Sequence, residues 1–312
     1  MNGSPIPTIT PVDQTDRPLW SVMIPVHNCA DLLRHALGSA LDDLAGRDDI
    51  EIEVVDDNSS DDPAAVVAAF DSPFVHYHRL AEPAGAIGNF NRCLERSRGR
   101  LVHLLHGDDG VRPGFYAAME QALARDDVGA AVCRVEYIDA DGAPGAITRS
   151  EVEGSGRWTD ALHTLGVSNR VRPAGIAARR SQYESIGGFH TGLPHAADWD
   201  MWVRLAASTT VWFEDAVLAE YRAHDANHTS QLVATGDNIR ERIVAIDVVG
   251  AHLPAADRGR VRREALRYSA VFAGRTAIQC LRRRQASAAL RQGVQAAHCL
   301  WRSALPGGFV SD

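Results

Sequence analysis

The sequence predicts an α/β fold: a Rossmann-like, mostly parallel sheet flanked by helices, followed by a C-terminal α-helical extension. Three observations carry this. Short apolar runs alternate with segments of helical period, joined by short links. Several of those runs stop abruptly at polar or acidic residues. Beyond Gln231 both features vanish, and amphipathic segments rich in Ala and Arg take over.

The elements follow in order. Trp20–Val26 is a first buried strand, and Asp31–Leu41 a helix with Asp31 as its N-cap. Ile50–Val55 is a second strand, ending at Asp56-Asp57-Asn58-Ser59-Ser60. Pro63–Phe70 is a helix and Val75–Arg79 a short third strand. Gly88–Arg98 is a helix entered through a Gly-containing turn, Leu101–Leu105 a fourth strand, and Pro113–Ala124 the helix after it. Gly129–Val135 and Glu136–Ile138 continue as strand, with a turn at Asp139–Gly142. A long loop covers 150–168. Ser181–Ile186 is helical and stops at Gly187-Gly188. Asp198–Ala207 is a helix before a strand near Thr210–Phe213. The expected organisation is a disordered, Pro- and Thr-containing tail at 1–17, a main domain at 18–232 and a helical region at 233–312.

Composition narrows the class. A formal net charge of −8 without a long basic run argues against nucleic acid as a partner. Every basic residue is Arg, so lysine chemistry is excluded. The five cysteines are scattered and never form CxxC, which reads as reduced thiols in a cytoplasmic protein. No apolar stretch is long enough to cross a membrane. Arg282-Arg283-Arg284 is either a solvated helix end or a peripheral contact with a membrane surface.

In a doubly wound sheet, ligands bind at the carboxyl ends of the strands. His27, Asp57 and the pair Asp108-Asp109 all fall there. Adjacent acids at a strand end repel unless a cation or a donor lies between them. Such oxygens suit Mg²⁺ or Mn²⁺, which commonly hold a phosphate as well. The alternative for the same residues is a solvated Asp-Asp turn. His27 presents a flat ring on which a base can stack, the alternative being a strand-end histidine that hydrogen-bonds a neighbour. Asp56-Asp57-Asn58 also has the chemistry of an Asx turn.

The order of the pieces is recognisable. Ser21-Val-Met-Ile-Pro25-Val-His27-Asn28, then Val54-Val-Asp56-Asp57-Asn58-Ser-Ser, Gly88-Asn-Phe-Asn91-Arg and His106-Gly-Asp108-Asp109-Gly-Val-Arg-Pro113 resemble family 2 glycosyltransferases of the GT-A fold. Arg179-Arg180 through Gly187-Gly188-Phe189, Ala197-Asp198-Trp199-Asp200-Met-Trp202 and Tyr221-Arg222-Ala-His224 extend the resemblance over about residues 18–230. No GxGxxG follows the first strand, which disfavours a nicotinamide enzyme.

The resemblance implies an inverting transfer from a nucleotide-diphospho-sugar (UDP, dTDP or GDP type), with Mn²⁺ or Mg²⁺. The acceptor would be a glycan, a lipid-linked molecule or a small molecule. It implies a nucleotide site of Pro25, His27, Asn28, Asp57, Asn91 and Asp108, with Asp57 reading the base. Asp109 would bind the metal, with Asp108 on the ribose or in the metal shell and His224 near metal or diphosphate. His106 stands where the family usually has a leading Asp, as a nitrogen ligand or a spacer. Asp198 would be the general base, the alternative being the N-cap of its helix; its usual acidic neighbour is Ala197 here, and Asp200 is the next acid along. Trp199 would be a platform for the acceptor sugar or a core tryptophan, and Arg222 would add a charge for phosphate. The rival expectation is a catalytically silent sugar-nucleotide-binding or scaffold protein.

Overall fold

The computed structural model describes residues 5–223 and 228–305. Strands and helices alternate first as β1 (Trp20–Val26), α1 (Ala30–Asp43), β2 (Ile50–Asp56), α2 (Pro63–Ala68), β3 (Val75–Arg79), α3 (Gly85–Arg96) and β4 (Leu101–Leu104). Then come β5 (Gly110–Val111), α4 (Phe115–Leu123), β6 (Val128–Ile138), β7 (Pro144–Ile147) and β8 (Gly156–Arg157). The chain continues through α5 (Ala161–Val167), β9 (Ile176–Arg179), α6 (Arg180–Ile186), α7 (Ala197–Ser208) and β10 (Thr210–Arg222). It closes with α8 (His228–Thr235), α9 (Asp237–Gly250), α10 (Ala255–Arg282) and α11 (Ala286–Ala304).

The chain forms two compact units. Among the described residues, one comprises 5–159, 171–191 and 208–223; the other comprises 160–170, 192–207 and 228–305. Thus α5 and nearly all of α7 group with the C-terminal helices, although they fall inside the expected main domain.

The first unit holds one sheet, in the order β3-β2-β1-β4-β9-β6-β10-β5, with β7 on β6 and β8 on β10. β1, β2, β3 and β4 are parallel, as the alternating pattern predicts. β9 runs antiparallel between β4 and β6, so the sheet is mixed. Every residue of β1 is buried, which is why it reads as a continuous apolar run. Trp20, Val22 and Ile24 pack with Leu33 and Leu37 of α1 and with Phe115 and Met119 of α4.

Some local details depart from expectation. α1 begins at Ala30, so Asp31 lies in its first turn, and Asp61 from the loop after β2 accepts the Ala30 N–H at 2.8 Å. The expected loop at 150–168 contains β8 and α5. Residues 5–17, expected as a disordered tail, have no regular structure but are held. Gly188 N donates to Pro7 O at 2.8 Å, Thr191 N to Pro5 O at 2.7 Å, and the Arg180 guanidinium to Thr10 O at 3.1 Å. Ile9 is fully buried. Polar composition missed this because one apolar side chain and three carbonyls suffice to anchor the segment.

The second unit is helical. Ile243, Ile246 and Val249 of α9 and Val261, Ala265 and Leu266 of α10 are buried. Among the described residues, no helix is long and apolar enough to cross a membrane.

Candidate functional site

In the first unit, the ends of β1, β2 and β4 are stitched together by the residues that follow them. Asn28 adopts φ 53°, a left-handed conformation that Asn tolerates better than most residues. Its N–H donates to Ser59 Oγ at 3.0 Å, and its Oδ1 accepts from Ser60 N at 2.8 Å. His27 is exposed, with Nδ1 2.9 Å from Asp57 O and Nε2 3.0 Å from Asn28 Nδ2. Both ring nitrogens are held, which fixes the plane of the ring. Pro25 is buried within β1, beside Val55 of β2.

Asp56 is fully buried and turns inward. It accepts from Ser59 N at 2.9 Å, Tyr77 Oη at 2.6 Å and Arg79 at 3.0 Å. Burial pushes its pKa up, but the hydrogen bonds from Ser59 and Tyr77 outweigh this and hold the carboxyl below its ordinary value. Asp57 has a different task. Its two oxygens accept from Ala84 N at 2.6 Å and Gly85 N at 2.9 Å. It therefore clamps the entrance to α3, and each oxygen retains a second lone pair for a ligand.

Beyond β4, Gly107 permits a backbone approach that no side chain could share. A Cβ there would lie 2.6 Å from Val26 Cγ1 and 3.1 Å from Cys29 Sγ. The turn then presents His106, Asp108 and Asp109, whose potential ligand atoms lie within 4.8 Å of one another. Asp109 is 1% exposed. Its Oδ1 accepts from Arg222 N at 2.9 Å. Its Oδ2 is buried without a hydrogen-bond donor, 4.0 Å from His106 Nδ1. Burial first, then the neighbouring charge of Asp108, push the Asp109 carboxyl well above its ordinary pKa. A divalent cation would relieve both. Bonds of about 2.1 Å put donors on opposite sides of an ion about 4.2 Å apart, so a cluster whose ligand atoms lie within 4.8 Å would need little movement to hold one. Two carboxylates and an imidazole fit such an ion. The His106 ring stacks on Phe90, 4.8 Å between centroids and 20° from parallel.

Three expected contacts are redirected. Asn91 is buried, and its amide pairs with the backbone of Phe189, Nδ2 to O at 3.0 Å and Oδ1 from N at 2.7 Å. It clamps a loop instead of offering itself to a nucleotide. Arg222 is buried, not poised for phosphate. Its Nε donates to Asp108 O at 3.0 Å and its Nη1 to Asp139 O and Ala140 O, both at 3.0 Å. It fixes the acid pair from behind.

In the second unit, Trp199 is 2% exposed, with Nε1 donating to Leu165 O at 2.6 Å and the Arg242 guanidinium 4.9 Å from its ring centroid. It is a core residue and not an open sugar platform.

Asp198, also in the second unit, lies in the first turn of α7 and is half-buried. Asn169 Nδ2 donates to Oδ2 at 2.8 Å, and Trp199 N to Oδ1 at 2.7 Å. Because α7 starts at Ala197, Asp198 is not its N-cap. Asp200 is fully buried between Arg204 at 2.8 Å and His252 at 3.1 Å. Burial opposes its ionisation, yet the His252 hydrogen bond and the Arg204 charge keep its pKa below the ordinary value. Asp200 is thus committed to an internal ion pair. His224 lies outside the described residues.

Residues that the sequence reading did not single out also contribute. Arg172 Nε donates to Tyr137 Oη at 2.7 Å, and its positive charge partly opposes the rise of the Asp109 pKa. Phe90 backs His106, and Asn169 holds Asp198. None has a periodicity or spacing that marks it in one sequence.

Comparison with known proteins gives the family and the fold. The profile of glycosyl transferase family 2 matches residues 21–187. An uncharacterised protein from Mycobacterium tuberculosis is 29% identical over 248 residues, 72% of this chain and 74% of its own. An uncharacterised glycosyltransferase from Rickettsia typhi is 26% identical over 69% of this chain and 67% of its own. Among solved structures, S. aureus TarS 1–349 in complex with UDP-GlcNAc superposes with a TM-score of 0.64 at 14% identity, over 90% of both chains. The mannosyltransferase PcManGT from Pyrobaculum calidifontis, in complex with GDP-Man and Mn²⁺, gives 0.57 at 18% identity, over 95% of this chain and 90% of that one. These structural likenesses show the GT-A fold.

Proposed function

The chain belongs to glycosyl transferase family 2, and from that premise we propose that it is an inverting, metal-dependent transferase using a nucleotide-diphospho-sugar. The observation that carries the proposal is Asp109: a buried carboxylate with an oxygen that has no donor, beside His106 and Asp108, at the strand end where such a sheet binds ligands. His106, Asp108 and Asp109 would hold Mn²⁺ or Mg²⁺, which when bound supplies positive charge to the departing diphosphate.

The remaining steps belong to the chain's own groups. The fixed, exposed ring of His27 offers a stacking face to the base. Asp57, already aligned by Ala84 N and Gly85 N, accepts a base N–H through its second lone pairs. Asn28 lines the same strand end. Asp198 takes the proton of the acceptor hydroxyl as it attacks the anomeric carbon, a contribution of about 10²–10⁴-fold. Its orientation is set by Asn169. Direct displacement inverts the anomeric configuration. Compounds of UDP and GDP bound to the structural neighbours support a nucleoside diphosphate donor.

The test is release of UDP, dTDP or GDP from a panel of donor sugars with Mn²⁺, with and without chelator, and with Asp109→Asn as control. Chelator-insensitive release would remove the metal from the reading. Tight binding of a donor without transfer to any acceptor, unaffected by Asp198→Asn, would favour a silent sugar-nucleotide binder.

A further inference from the structure

We propose that the outward sides of α10 and α11 dock this protein on an anionic lipid surface. α11 carries two stripes. Its inner stripe is small and polar: Ala288, Gln292, Gln295, Cys299 and Ser303 are buried. At about 100° per residue, positions 290, 294 and 301 lie roughly opposite that stripe. There stand Leu290, Val294 and Trp301, exposed by 71%, 57% and 61%. A helix that stays in water directs its largest apolar side chains inward; α11 does the reverse. α10 repeats the arrangement, with Val271, Ile278 and Leu281 exposed on the side away from buried Ala265, Ser269 and Thr276. Apolar residues aligned over two helices are not the single scattered ones that any surface carries.

Charge selects the occupant. Residues 255–305 hold eleven arginines against Asp257 and Glu264, in a chain whose formal net charge is −8. The guanidinium groups of Arg267, Arg275, Arg282, Arg283 and Arg284 make no hydrogen bond or ion pair among the described residues, whereas Arg262 and Arg302 are both paired with Asp247. Arg267, Arg275 and Arg282 flank the apolar stripe of α10. A second copy seated on this face would bring uncompensated arginines against each other. An anionic membrane answers both features: phosphates for the arginines, and acyl chains for the leucines and the tryptophan. Since no described helix can span a bilayer, the contact is with one face of the membrane.

The experiment is co-sedimentation of the full chain with phosphatidylcholine vesicles, with and without phosphatidylglycerol, at low and high salt. Binding is expected to the anionic vesicles only, and to weaken with salt. Arg282→Gln/Arg283→Gln/Arg284→Gln is expected to reduce partitioning about 100-fold. Leu290→Asn/Trp301→Gln is expected to reduce it at least about tenfold. All five positions lie at an exposed turn or on the outward face, and melting curves check that both variants stay folded. No binding, equal binding to both vesicles, or wild-type binding by both variants overturns the proposal. So does a dimer in light scattering that Leu290→Asn/Trp301→Gln dissolves, which would assign the face to a second copy. Sedimentation needs no donor or acceptor, so the outcome is independent of the proposed transfer.

Discussion

Replacing Asp109 by Asn is expected to have opposite effects on the metal-free and the loaded protein. The substitution keeps an oxygen for Arg222 N and removes a charge disfavoured by burial and by Asp108. A buried polar group without a partner costs about 1–3 kcal/mol, and a charged one more. For a unit of about 200 residues, each kcal/mol moves the melting temperature by about 2–4 °C. In chelator, Asp109→Asn is therefore expected to melt about 2–10 °C above wild type. The pH dependence has a matching sign. A carboxyl whose folded pKa is raised favours the folded state most below its unfolded value, and that advantage is lost as pH rises through the raised one. The gap between variant and wild type should accordingly widen from acid to neutral pH. With Mn²⁺ and nucleoside diphosphate at about 100 Kd, wild type gains about 2.7 kcal/mol. The variant, lacking the anionic ligand, should gain far less, so the gap narrows by up to about 2.7 kcal/mol and the order of melting reverses where the metal-free advantage is smaller than that. Scanning calorimetry with chelator and with Mn²⁺ plus UDP, GDP or dTDP reads both halves. A variant that melts below wild type in chelator, or that shifts equally with metal and nucleotide, refutes the reasoning.

Three further outcomes are expected. Asp198→Asn should leave melting and donor affinity near wild type while transfer falls by on the order of 10² or more; near-normal transfer, measured with a confirmed acceptor, would take Asp198 out of the mechanism. Asp200→Asn should cost about 3–5 kcal/mol in urea unfolding, because Arg204 is left buried beside a neutral amide. Since the Asp200 pKa is lowered on folding, its wild-type contribution should persist above the ordinary carboxylate pKa and fade as pH falls below it. Asp57→Asn turns an amide N–H₂ toward Ala84 N or Gly85 N, so donor binding should weaken by about 1–3 kcal/mol by calorimetric titration; unchanged affinity would make Asp57 a clamp of the α3 entrance and nothing more.

The parts of the fold legible in the sequence are those with a strong local signal. The run Trp20–Val26 is buried throughout, and the links to α1, β2 and β4 are short, so periodicity and turn residues identify them. β5 and β8 have two residues each, too few to carry a period. β9, Ile176–Arg179, runs antiparallel between β4 and β6, and no local pattern records that pairing. The acids at 56–57 and 108–109 stood out because adjacent carboxylates at strand ends are locally anomalous, whatever surrounds them.

The sequence by itself determined the class of fold, the family resemblance and where its acids cluster, since these depend on neighbours in the chain. Which of those polar residues serve a ligand and which serve the fold was decided by contacts far along it. Asn91 meets Phe189 across 98 residues, and the backbone of Arg222 meets Asp109 across 113. Trp199 is sealed by Leu165 O and Arg242, and Asp200 by Arg204 and by His252, 52 residues on. A buried hydrogen bond is set by tertiary packing, and the same amide or guanidinium reads alike in sequence whether it faces a phosphate or a carbonyl.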